Sequence, residues 1–105
     1  MSDVEDRLRQ ALPRLGRLGA VVAFDLGADG RWLVDARTTQ PVLEEGGEEG
    51  DGDGAFEPAC TIRLSGDNLL KLMDGRLDPM LGYTLGKIKV AGSLGVAMKL
   101  VNAMG

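Results

Sequence analysis

The chain has 105 residues and a formal net charge of -4, which leaves room for one core and not for two full-size domains. Six acids lie between Glu44 and Asp53 with no base among them, and the rest of the chain holds ten acids against twelve bases. A hydrophobic share of 44% excludes a wholly disordered chain, an aromatic share of 4% is too small for a base-stacking nucleic-acid platform, and the lack of any histidine excludes imidazole catalysis and histidine metal sites.

Asp3 to Leu15 predicts an amphipathic helix, since Val4, Leu8, Ala11, Leu12 and Leu15 follow 3–4 spacing. Ser2 or Asp3 is its candidate cap, Pro13 predicts an irregular last turn and Gly16 a stop. Gly19 to Leu26 predicts a strand with Val22, Phe24 and Leu26 on one face. Gly27-Ala28-Asp29-Gly30 is turn chemistry, and Arg31 to Arg37 predicts the returning strand of a hairpin, with a third strand starting at Pro41 to Leu43.

Glu44 to Gly54 holds little but glycine and acid, so it predicts a mobile, solvated loop. Glu49, Asp51, Asp53 and Gly54 match the first positions of an EF-hand-like loop, but the bidentate Glu that calcium requires falls on Cys60. No metal is expected there.

Ala59 to Ser65 predicts a strand with Cys60, Ile62 and Leu64 inward and Thr61 and Arg63 outward. Ser65 to Asp74 predicts a helix with Leu69, Leu70, Leu72 and Met73 as its apolar stripe, stopped by Gly75. Asp78-Pro79 starts a short helix over Met80 to Leu85, ended by Gly86. Lys87 to Ala91 predicts a strand with Ile88 and Val90 inward, and Ser93 caps a last helix over Leu94 to Met104. That order reads as an α+β fold with helices over one face of a sheet.

The last helix is apolar nearly all round, with Lys99 and Asn102 as its polar side chains. Such a helix needs apolar contact on more than one side: burial, a ligand, a membrane or another subunit. Four of the five methionines lie in the C-terminal helices, at Met73, Met80, Met98 and Met104. Methionine suits apolar surfaces that must adapt in shape, and it also fills ordinary cores. One cysteine allows no internal disulfide, no apolar run reaches the roughly 18 residues of a membrane span, and Met1 to Gln10 lacks a signal-peptide core. A cytoplasmic location is the expectation, and no catalytic constellation or cofactor motif is present.

The run Cys60-Thr61-Ile62-Arg63-Leu64-Ser65, then Leu69 to Pro79, then Gly86-Lys87-Ile88-Lys89-Val90-Ala91-Gly92 and Leu94 to Leu100, resembles the sterol carrier protein type 2 family. Phe24 to Asp35 looks more loosely like that family's first hairpin. The resemblance implies one lipid-binding domain over the whole chain, with a curved, mostly antiparallel five-stranded sheet covered by helices on one side. It also implies an apolar tunnel for fatty acyl chains, acyl-CoA, phospholipid or sterol, and a role in binding and presenting lipid without catalysis. The acid block is foreign to the family pattern, and Tyr83 stands where Phe is common. Ala103-Met104-Gly105 lacks a peroxisomal Ser-Lys-Leu ending, so a bacterial or cytosolic home is expected.

On that resemblance and by position, the expected tunnel lining is Leu72, Met73, Leu77, Met80, Leu81, Tyr83, Leu85, Met98, Val101 and Met104, with Phe24 and Trp32 on the sheet side. Plain core packing is the rival reading for each. Lys87, Lys89 and Lys99 are candidates for an anionic head group or an anionic membrane surface, against an ordinary solvated face. The rival function is an accessory module that packs on a lipid-metabolising enzyme, or pairs as a homodimer through the C-terminal helix.

Overall fold

A computed structural model of the chain describes residues 3–45 and 58–104. Helix α1 (Asp3–Ala11) runs into a 3-10 turn, Leu12–Leu15, where Pro13 removes an amide donor from the α ladder. Strand β1 (Ala20–Asp25), a 3-10 turn at Gly27–Asp29, β2 (Arg31–Ala36) and β3 (Val42–Glu45) follow. Strand β4 (Cys60–Arg63), helices α2 (Gly66–Met73) and α3 (Pro79–Thr84), strand β5 (Lys89–Gly92) and helix α4 (Leu94–Met104) complete the chain. Glu44 and Glu45 belong to β3 and not to a loop, because they continue the β2 ladder opposite Leu33 and Trp32. The rest of the acid block, and Ser2 as a cap, lie outside the described residues.

The caps are those that local chemistry dictates. Ser65 accepts from the Asn68 amide at 3.0 Å, Asp78 from Leu81 at 2.9 Å and Ser93 from Val96 at 3.2 Å. Gly75, just past α2, has a φ of 75°, which suits the stop expected there.

The five strands form one sheet in the order β3-β2-β1-β4-β5. Neighbours are antiparallel except β1 and β4, which are parallel. Register lines up two apolar rows on the inner face. One row is Trp32, Phe24, Ile62 and Val90; the other is Leu43, Val34, Val22 and Cys60, ending at Gly92. Helices α1, α2 and α4 bury Val4, Leu8, Ala11, Leu69, Leu72, Ala97, Leu100, Val101 and Met104 in the same apolar cluster as these rows. The stripe on α4 is Ala97, Leu100, Val101 and Met104, one face at helical spacing. Arg14 donates to the Met104 carbonyl at 3.3 Å, which ties the end of α4 to the turn after α1.

The outer face is charged at one end of the sheet. Asp25 sits between Arg31 and Arg63, at 3.5 and 3.6 Å, with Lys89 next in the row. At the far end of β2, hydrogen bonds from the Arg37 guanidinium hold the Asp35 carboxyl below the ordinary carboxylate range. Val21 and Ala23 are also buried, so β1 reads as a continuous apolar run and not as clean alternation, as a central strand should.

Gly92 closes the second inner row where backbone meets backbone. Its φ is 94°, and a Cβ there would lie 2.6 Å from the Ala59 carbonyl oxygen and 3.0 Å from Cys60 Cα. Gly27 has a φ of 62° with open space around it. Gly27→Ala therefore should cost only the left-handed strain, about 1–2 kcal/mol. Gly92→Ala should cost that and an overpacking penalty of about 1–3 kcal/mol. Urea midpoints of the two variants check the difference, and equal midpoints would contradict the crowding at Gly92.

Cys60 is buried on the inner face, and loss of hydration pushes its thiol above the ordinary range. It is a packing residue and not a poised nucleophile. In a thiol-modification time course at pH 8, the native chain should react at least tenfold more slowly than the urea-unfolded chain. Equal rates would show an accessible thiol.

Candidate functional site

The apolar interior between the inner sheet face and helices α2 and α4 is the candidate site. Six of the expected lining residues meet in its cluster: Phe24, Trp32, Leu72, Leu77, Val101 and Met104. Met73 on α2 and Met98 on α4 are half-buried and pack against it. Helices α2 and α4 touch, so the interior is covered there by adjoining helices that each carry a flexible thioether at the margin.

The other four, Met80, Leu81, Tyr83 and Leu85, stand at the surface. The reason is Gly82, the buried residue of α3. A Cβ at Gly82 would fall 2.8 Å from Ile88 Cδ1 and 3.4 Å from Leu77 Cδ2, so the helix lies on its glycine and its larger side chains turn away. Gly82 and Ile88 are further joined by an amide of Ile88 donating to the Gly82 carbonyl at 3.1 Å.

Lys87, Lys89 and Lys99 are all exposed. Lys89 stands opposite Arg63 in the register, on the outer sheet face. None of the three belongs to the apolar cluster.

One buried polar group lies in the cluster beside Gly30, at the turn between β1 and β2. Trp32 is buried in the cluster, and its Nε1 has no hydrogen-bond partner among the described residues. A buried donor left unpaired costs about 1–3 kcal/mol, which an acceptor oxygen brought to it would recover. Among the described residues no His, Cys, Asp or Glu group could hold a metal. A surface cleft lined by Asp6, Arg7, Gln10, Leu70 and Asp74 is spanned by the Arg7–Asp74 ion pair, which joins α1 to the end of α2.

Sequence reasoning put Leu8, Leu15 and Leu69 on apolar helix faces and Ile88 inward, but did not name them, or Ala97 and Leu100, as lining of the site. The signal for the α4 pair was present, because counting by three and four from Met104 passes Val101, Leu100 and Ala97. Met98, three before Val101, lies at the edge of that stripe, which is why it is half-buried. The spacing of Leu8 and Leu15 marked them as an apolar face, but nothing in their own segment says which sheet face α1 will cover.

The architecture and the apolar interior can be set beside known proteins. The model of the SCP-2 sterol transfer family matches residues 2–105. Sterol carrier protein 2 of Rattus norvegicus is 32% identical over 90 residues, covering 80% of this chain and 15% of the rat protein. Hydroxysteroid dehydrogenase-like protein 2 of Bos taurus is 29% identical over 81% of this chain and 19% of its own length. The chain thus spans under a fifth of these relatives. Among solved structures, palmitated SCP2L2 from Aedes aegypti has the same fold, with a TM-score of 0.69, 20% identity and coverage of 99% of this chain and 95% of that one. With the family model matched from residue 2 to the end and a five-stranded sheet under helices, this chain belongs to the SCP-2 sterol transfer family.

Proposed function

We propose that the chain is a non-enzymatic lipid carrier that holds one long apolar chain, of fatty acyl or sterol-like class, between the inner sheet face and helices α2 and α4. Family membership over residues 2–105 is the observation that carries this reading. The palmitated neighbour of the same fold makes a fatty acyl cargo the first to try. In this mechanism the tail replaces side-chain contacts within the cluster, and Met73 and Met98 re-pack around it. Each methylene taken from water contributes about 0.8 kcal/mol, so the tail supplies most of the affinity. The orphaned Trp32 Nε1 donates to an acceptor oxygen of the cargo.

The accessory-module reading rested on a C-terminal helix with a spare apolar face. The principal stripe of α4 is already spent on the chain's own interior, which favours the carrier reading. The bovine relative shows that such a domain can be part of a protein named for dehydrogenase likeness, and lipid supply to a joined enzyme is compatible with the carrier role.

Native mass spectrometry after mild purification should find a lipid that organic extraction removes, and the stripped chain should take up a fluorescent fatty acid. Met98→Asp puts a charge at the half-buried margin and should weaken that uptake about tenfold or more while the fold survives. Trp32→Phe removes the unpaired donor. It should leave the lipid-free stability equal or higher, and weaken fatty acid binding about twofold to tenfold, the worth of one hydrogen bond. No bound lipid and no uptake by the native chain would overturn the carrier reading.

A further inference from the structure

We propose, resting on the carrier reading, that α3 and the lysine beside its end form a docking surface for an anionic lipid bilayer. Among the described residues the exposed large hydrophobics include Met80 at 60%, Leu81 at 53%, Tyr83 at 40% and Leu85 at 58% exposure, all within six consecutive positions. They are not loosely attached. Gly82 presses the helix onto Ile88 and Leu77, and the Asp78 side chain and Pro79 fix its first turn. A rigid short helix thus offers Met, Leu, Tyr and Leu to the outside, where a water-facing helix would carry polar groups. Tyrosine and leucine with adjacent lysine is the side-chain mixture that the boundary between head groups and acyl chains accommodates.

Charge selects the occupant. From Pro79 to the last residue the chain has three lysines and no acid. The preceding acid, Asp78, accepts from the Leu81 amide at 2.9 Å and so is turned to the backbone. The Lys87 amide donates to the Gly82 carbonyl at 2.8 Å, which holds Lys87 beside the end of α3. Of the three lysines, Lys87 is the one at the edge of the patch; an anionic surface complements it, whereas two copies meeting there would set their Lys87 side chains against each other. The position also suits delivery. Leu77, one step before the Asp78 cap, belongs to the interior cluster, and α3 packs on α4. A bilayer seated on α3 therefore lies against the elements that wall the cargo.

The test is sedimentation with vesicles of phosphatidylcholine and phosphatidylglycerol, against phosphatidylcholine alone, at low and high salt. The full chain should partition to the anionic vesicles about tenfold more strongly, with the preference lost at high salt. Leu81→Ser with Leu85→Ser, and separately Lys87→Glu, should each weaken that partition about fivefold or more with unchanged circular dichroism. Partition equal on both vesicle types overturns the proposal, as does wild-type partition in both variants. A wild-type dimer that the serine pair dissociates would assign the patch to self-association instead and also overturn it. Uptake of a fluorescent fatty acid by the wild type without vesicles separates the two readings: uptake without vesicle binding removes the docking surface alone, and failure of both removes the carrier as well.

Discussion

The structure depends on one row of contacts across the middle of the sheet. Phe24 on β1 is flanked by Trp32 on β2 and Ile62 on β4, and all three are buried in the apolar cluster. Side-chain direction on a strand has a period of two, so this register commits every other residue of three strands to the inside at once. A slip of one residue would send Arg31, Asp25 and Arg63 inward and Phe24 out. The ion pairs of Asp25 with its two arginines on the outer face favour the same register from the other side. Exposed pairs of this kind are worth little singly, so burial of the inner row is the stronger of the two constraints.

The helices answer that row in different ways. Helices α1, α2 and α4 each bring a stripe of aliphatic residues to it, and the stripe on α4 is closed off by the Arg14 contact to its last turn. Helix α3 brings only a glycine. One helix consequently carries large apolar side chains that are 40–60% exposed, on a scaffold held close by Ile88 and Leu77. The interior and this outward face are two consequences of where bulk was placed along the C-terminal half. On the proposed readings, their closeness would couple holding a lipid with meeting the surface that supplies or receives it.

Charge is divided along the chain in a matching way. The deficit of -4 comes from the block between Glu44 and Asp53, and the region from Pro58 onward carries six bases against three acids. Net charge taken over the whole chain therefore misstates the character of the face that α3 presents. Of the lysines, Lys87 adjoins α3, while Lys89 belongs to the outer sheet face with Arg63. The two are only two positions apart, but a turn and a strand lie between their roles.

Most of the local structure was legible in the residues. Capping at Ser65, Asp78 and Ser93, the stops at Gly75 and Gly86, the inward set Cys60, Ile62 and Leu64, and the irregular turn at Pro13 all follow from chemistry within a few residues. Hydrogen bonds of this reach are decided by neighbours in the chain, which is why the sequence alone determines them. The family motif from Cys60 to Leu100 likewise announced the α+β architecture. The parallel pairing of β1 with β4, the strand status of Glu44 and Glu45 and the outward turn of Met80, Leu81, Tyr83 and Leu85 were not legible. Each depends on packing or pairing with another element: β4 reaches β1 across more than thirty residues, β3 takes its length from β2, and α3 takes its orientation from Ile88, six residues after Gly82. An apolar residue states only that it seeks apolar contact. Whether Leu81 finds that contact inside or out was decided by the volume already filled beneath Gly82, and volume is a property of the assembled fold.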